Sequence, residues 1–162
     1  MDAKPALDAR TLLLGFVCGY LGVLVFHQLT ILGLWYLGLG RNFPWSFRPV
    51  PLFGAPAVLQ AAFWGGMWGV LIAACRLYVP AGAARLVYGF LWGGVLCAAF
   101  GWYVVAPLKG NAPPAFGFET MWRGVLINGM FGLGTVVFLE LADRFFPRRP
   151  DEAPPPEPMA DA

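Results

Sequence analysis

The sequence predicts an all-α membrane protein whose four transmembrane helices pack as a bundle through glycine and alanine ridges. Three observations predict it. The 162 residues are 59% apolar and 16% aromatic but only 12% charged, roughly half the charge of an ordinary soluble domain. The charges are also segregated: 11–40, 49–75, 86–108 and 124–140 contain no Lys, Arg or Asp, and their one acid is the closing Glu140. Finally, each of these stretches repeats small residues at a spacing of four, which lines one face of a helix.

Residues 1–10, with Lys4 and Arg10, read as a short N-terminal segment on the cytoplasmic side. A membrane domain over 11–145 follows. Span 1 covers about 11–39 and would be roughly 40 Å long, so it should tilt or project beyond the hydrocarbon layer. Its apolar stretch is too long for a signal sequence, and no A-x-A-like site follows, so it should remain in the mature protein. Bulky Phe16 and Val17 precede Cys18 where a lipoprotein acceptor would have small residues.

Spans 2, 3 and 4 cover about 57–76, 83–106 and 119–142. The tail, 146–162, is rich in proline and acid and has no apolar period. It cannot bury enough surface to fold and reads as a disordered cytoplasmic end.

Four spans put both termini on one side. That side carries Lys4, Arg10, Arg76, Arg85, Arg144, Arg148 and Arg149, and the other carries Arg41, Arg48, Lys109 and Arg123. The bias places both termini in the cytoplasm of a cell whose inner, plasma membrane holds the protein. Trp35, Tyr36, Trp102, Tyr103 and Trp122 near the outer span ends, and Tyr78 and Tyr88 near the inner ends, fit interfacial belts.

Between lipid-bathed helices the hydrophobic effect gives little attraction, so small residues that let backbones approach must supply much of it. Span 1 offers Gly15 and Gly19; span 2, Ala61, Gly65, Gly69 and Ala73; span 3, Gly89, Gly93, Cys97 and Gly101; span 4, Gly124, Asn128 and Gly132. The likeness of "FWGGMWG" at 63–69 to "FLWGGVL" at 90–96 reads as shared packing chemistry.

Several functional classes lose support. A net charge of +2, scattered over span ends, gives no field for nucleic acid. Cys18, Cys75 and Cys97 lie inside apolar runs without C-x-x-C spacing and read as small packing residues. No Ser, Cys or carboxylate has a recognisable base beside it, so no catalytic residue is identified. "NGMFGLG" at 128–134 lacks the strand and the Lys-Ser/Thr of a phosphate loop. One histidine with no acid at its depth makes a poor metal or haem shell, and no metal or other cofactor is expected.

Two polar groupings remain. His27 and Gln28 in span 1 and Asn128 in span 4 fall at similar midplane depth, where polar side chains face protein or trapped water. They read either as a structural clasp between helices or as a site that handles protons or binds a ligand. Arg41, Arg48, Lys109 and Arg123 could form an outer basic rim, through snorkelling alone or by contact with lipid phosphate, an anionic ligand or a partner's loops. Its one acid, Glu119, stands at i, i+4 to Arg123, and the two should pair. The loops at 40–56 and 106–119 are rich in proline and glycine and look shaped.

The stretches "FHQ" (26–28), "RPVPLFGAP" (48–56), "FWGGMWG" (63–69), "PLKG" (107–110) and "NGMFGLG" (128–134) resemble those of small four-span bacterial inner-membrane proteins. The resemblance implies a topology and lends no catalytic residues. The reading that follows is an integral membrane protein that works by association with other membrane subunits or with itself, as an accessory or scaffold subunit or a homo-oligomer in the lipid bilayer. The competing reading is a small transporter or ligand-binding protein with a midplane site at His27, Gln28 and Asn128.

Overall fold

The computed structural model describes residues 7–50 and 54–147. Residues 1–6 and 148–162, which make up most of the two expected terminal segments, lie outside the described residues. Four long apolar helices follow one another: α1 (Ala9–Tyr36), α2 (Ala57–Arg76), α3 (Ala83–Leu108) and α4 (Phe118–Phe145). The expected all-α bundle is what the described residues form.

The span ends differ in detail from the expectation. Helix α1 stops at Tyr36, short of Leu39, because Gly38 takes a left-handed conformation (φ 70°) and turns the chain back. The amides of Leu39 and Gly40 then both donate to the Leu34 carbonyl at 2.9 Å, a glycine-capped helix end. At the other end Asp8 caps α1, its carboxylate accepting the Thr11 amide at 2.8 Å. Helix α3 continues to Leu108, and α4 begins at Phe118 and reaches Phe145.

Helices α1 and α4 form the central pair; α2 rests mainly on α1, and α3 mainly on α4. The α1–α2 seam is built from glycine on both sides. A methyl group added to Gly19 would lie 2.7 Å from the Gly69 Cα, and one on Gly15 would lie 2.9 Å from the Ala73 Cβ. The α3–α4 seam repeats the device: a methyl on Gly89 would lie 2.6 Å from the Gly132 carbonyl oxygen, and one on Gly93 would overlap the Asn128 carbonyl. Backbones this close exchange the dispersion contacts that hold helices together in lipid.

Aromatic rings fill the remaining hollows. Phe16 lies over Gly66, Phe26 over Gly134, Phe90 over Gly129 and Trp102 over Gly124. Across the α2–α3 edge, Trp68 meets Phe100 edge to face at 5.4 Å, and the Tyr88 hydroxyl donates to the Ile72 carbonyl at 3.1 Å. The shared interior holds Cys18, Val23, Ile72, Cys97, Phe131, Val136 and Leu139. Large apolar side chains such as Leu13, Trp64, Leu91 and Val95 point outward, as they must where the solvent is lipid.

Helix α1 widens into a π-helical turn over Val23–His27, and α3 does so over Trp92–Cys97 and again over Gly101–Val105. In such a turn amides reach back five residues, and the change of register frees a carbonyl for another donor. The turn in α1 contains His27 and ends immediately before Gln28.

Candidate functional site

Helix α2 is the shortest of the four, and the register of Gly65 against Gly19 and of Gly69 against Gly15 puts its first residue about two turns below the end of α1. The loop after α1 fills the step. Its Trp45, held at a positive φ of 48°, descends along α1 to the level of the π-helical turn. There the indole N–H of Trp45 donates to the Leu24 carbonyl at 2.9 Å, and its backbone N–H donates to the Gln28 side-chain oxygen at 2.7 Å. Gln28 lies eight residues before the end of α1, so the loop enters the bundle by roughly 12 Å.

Irregular backbone at such depth is tolerated only where protein satisfies it. The loop meets this demand at its other side by serving α2. The first amides of a helix have no partner within it, and here Ala57 donates to the Arg48 carbonyl and Val58 to the Ser46 carbonyl, each at 3.0 Å. Pro49 and Pro56 form an antiparallel bridge, and the Val50 amide donates to the Ala55 carbonyl at 2.9 Å. A cavity of about 660 Å³ opens beside this loop, with Gln28, Trp45, Ser46 and Arg48 among its walls.

His27 completes the arrangement. Its Nδ1 lies 3.3 Å from the Gln28 Nε2. Because Trp45 occupies the Gln28 oxygen, the Gln28 amide nitrogen is the donor and the His27 Nδ1 the acceptor. The network thus assigns the imidazole proton to Nε2.

Asn128 takes no part. Its side-chain amide donates to the Gly124 carbonyl of its own helix at 2.9 Å, and its backbone faces Gly93 across the α3–α4 seam. Depth matched it to His27, but helical rotation turns it to another neighbour. The midplane group is therefore His27, Gln28 and Trp45, and Asn128 belongs to the glycine seam.

The basic rim is likewise divided. Arg41 and Arg123 share a cavity of about 220 Å³ with the polar Asn42 and Thr120 and the apolar Ile31, Leu34 and Ile127. Arg48 faces the cavity beside Trp45, and Lys109 is exposed after α3. The expected Glu119–Arg123 pair is not formed; the Arg123 guanidinium lies 5.1 Å from the Trp122 ring centroid instead.

At the opposite end lies a cluster that sequence reasoning missed. Arg76, 4% exposed, donates from Nη1 to Glu140 at 3.0 Å and from Nη2 to Asp143 at 2.7 Å. Arg85 joins Glu140 at 2.9 Å and also donates to the Val79 carbonyl at 3.0 Å. Arg10 lies 3.9 Å from Asp143 and donates to the Phe146 carbonyl. Thus α1, α2 and α3 each contribute one arginine to two acids on α4. The available signal was Glu140, the one charged residue within the four apolar stretches, with Asp143 one turn further on.

Among the described residues, no group of His, Cys, Asp and Glu is arranged to hold a metal ion. Compared with known proteins, the chain matches no family model, no curated protein and no solved structure. What the sequence and the fold establish together is an integral membrane protein with four spanning helices.

Proposed function

We propose that this protein acts by association within a bacterial inner membrane, as an accessory or scaffold subunit or as a homo-oligomer, with both termini cytoplasmic. The observation that carries this reading is the use of the midplane polar groups. Gln28, the Leu24 carbonyl and the His27 Nδ1 are engaged by the chain's own Trp45 loop or by each other. Transport needs polar groups that a passing solute can borrow, and here they serve as fasteners. The α1–α2 and α3–α4 seams, where glycine backbones touch, leave little room for a water-filled path between those helices. The resemblance of its motifs to small four-span inner-membrane proteins fits the same reading.

The full-length protein, extracted in several mild detergents and reconstituted into lipid nanodiscs, should retain a defined oligomeric state or a stoichiometric membrane partner after cross-linking. A monomer without a partner in every one of these media would overturn the proposal. Transport detected in sealed vesicles, and lost on His27→Leu with the fold preserved, would favour the midplane ligand site instead.

A further inference from the structure

We propose that Arg41 and Arg123 form a binding site for the phosphate of an acidic phospholipid, at the end of the bundle opposite the termini. Arg41 stands just beyond the capped end of α1, and Arg123 rises from the second turn of α4. Their side chains line the same cavity. Among the described residues, neither guanidinium has a carboxylate within ion-pair distance.

The Arg123 Nε is buried and has no hydrogen-bond partner among the described residues. An unsatisfied buried donor is costly, more so when charged. Glu119, one turn earlier, is placed to neutralise Arg123 by sequence and does not. The cavity therefore holds two positive charges. Asn42, which lines the same cavity, carries a further amide donor. Guanidinium groups are suited to phosphate because their planar N–H donors match its oxygens in pairs.

The rest of the cavity separates a lipid from a free phosphate ion. Its apolar part is Ile31 and Leu34 from α1 and Ile127 from α4, each further along its helix into the bundle than the two arginines. A bare phosphate would leave the part-exposed Ile31 and Ile127 uncovered, whereas a phospholipid lays an acyl chain over them. Trp35 and Trp122 stand at the same level, where interfacial aromatic rings meet headgroups. A zwitterionic headgroup brings its own cation to a site with two already, so an acidic headgroup is favoured.

The test uses the full-length protein in detergent, titrated with dioleoyl phosphatidylglycerol, dioleoyl phosphatidylcholine or glycerol 3-phosphate and followed by native mass spectrometry and thermal unfolding. Phosphatidylglycerol should bind and raise the melting temperature more than phosphatidylcholine. Arg41→Gln and Arg123→Gln should each weaken phosphatidylglycerol binding by about tenfold, the loss of one charged hydrogen-bond donor group. Arg48→Gln, in the neighbouring cavity, should leave it unchanged. Arg41 is exposed, so its substitution spares the bundle even if Arg123→Gln lowers stability. Equal binding by Arg41→Gln and the parent protein would overturn the site. Glycerol 3-phosphate binding as tightly as phosphatidylglycerol would overturn the lipid assignment and leave a soluble phosphate ester as the ligand.

Discussion

The side-chain oxygen of Gln28 accepts the backbone N–H of Trp45 at 2.7 Å, across 17 residues of sequence. This bond decides how the loop between α1 and α2 is held, because Gln28 is buried and fixes the Trp45 backbone against α1 about 12 Å inside the bundle. Gln28→Leu keeps the volume and leaves that N–H without a partner, so it should cost about 2 kcal/mol. Trp45→Phe removes the indole bond to Leu24 but keeps the backbone bond, and should cost about 1 kcal/mol before any loss from the smaller ring. Hydrogen exchange across 42–50 should accelerate in both variants, more in the first. Unchanged exchange in Gln28→Leu would sink this account of the loop.

His27 acts through Gln28, and the tautomer argument gives its substitutions a sign. Asparagine can offer an acceptor near the position of the imidazole Nδ1, so His27→Asn should preserve the loop's exchange protection. His27→Leu loses the acceptor and should cost only about 0.6 kcal/mol, the average for a polar contact between membrane-embedded side chains. Reversible unfolding in mixed micelles would measure both. A large loss in His27→Asn would show that the histidine has duties beyond accepting one hydrogen bond.

The fold was legible in the sequence because span length and glycine spacing are local properties. Gly65, Gly69, Gly89, Gly93 and Gly132 could be assigned to seams from their period of four, and Gly15 and Gly19 found their counterparts across the α1–α2 contact. What was not legible depends on rotation and on chain reversal. Asn128 shares His27's depth, but which way a helix is turned about its axis is fixed by packing, and here Gly93 receives it. The Trp45 contact needed knowledge that α2 starts low and that α1 widens over Val23–His27, and neither follows from an apolar run. The arginine cluster is partly visible in the sequence: Arg10, Arg76 and Arg85 count there as orientation charges, which they can remain, since carboxylates contribute little to that bias.

The glycines themselves can be sorted by substitution. A methyl at Gly93 would overlap the Asn128 carbonyl, a backbone atom that cannot step aside, so Gly93→Ala should destabilise by about 1–3 kcal/mol. Gly101 continues the same period of four in α3, yet a methyl there meets nothing within 4 Å. Gly101→Ala should be neutral or stabilise by up to about 1 kcal/mol through helix propensity. Steric-trapping measurements in bicelles would compare them. Equal losses would mean that the α3–α4 seam extends further than the backbone positions indicate.

The arginine cluster predicts an asymmetry between its two signs of charge. The Arg76 side chain is 5% exposed, whereas Glu140 and Asp143 are 38% and 41% exposed. Removing the acids by Glu140→Gln with Asp143→Asn strands a largely buried guanidinium, and breaking a buried pair in this way costs about 3–5 kcal/mol. Removing the base by Arg76→Met leaves two carboxylates that recover hydration from their exposed sides, and Glu140 keeps Arg85. Methionine also fills much of the vacated volume. The Arg76→Met loss should therefore stay below about 1 kcal/mol, in the range of exposed ion pairs. Unfolding free energies of the two variants decide the matter. If Arg76→Met is the more damaging, then Arg76 holds α2 to α4 mainly through its attraction to the acids, and its burial is incidental.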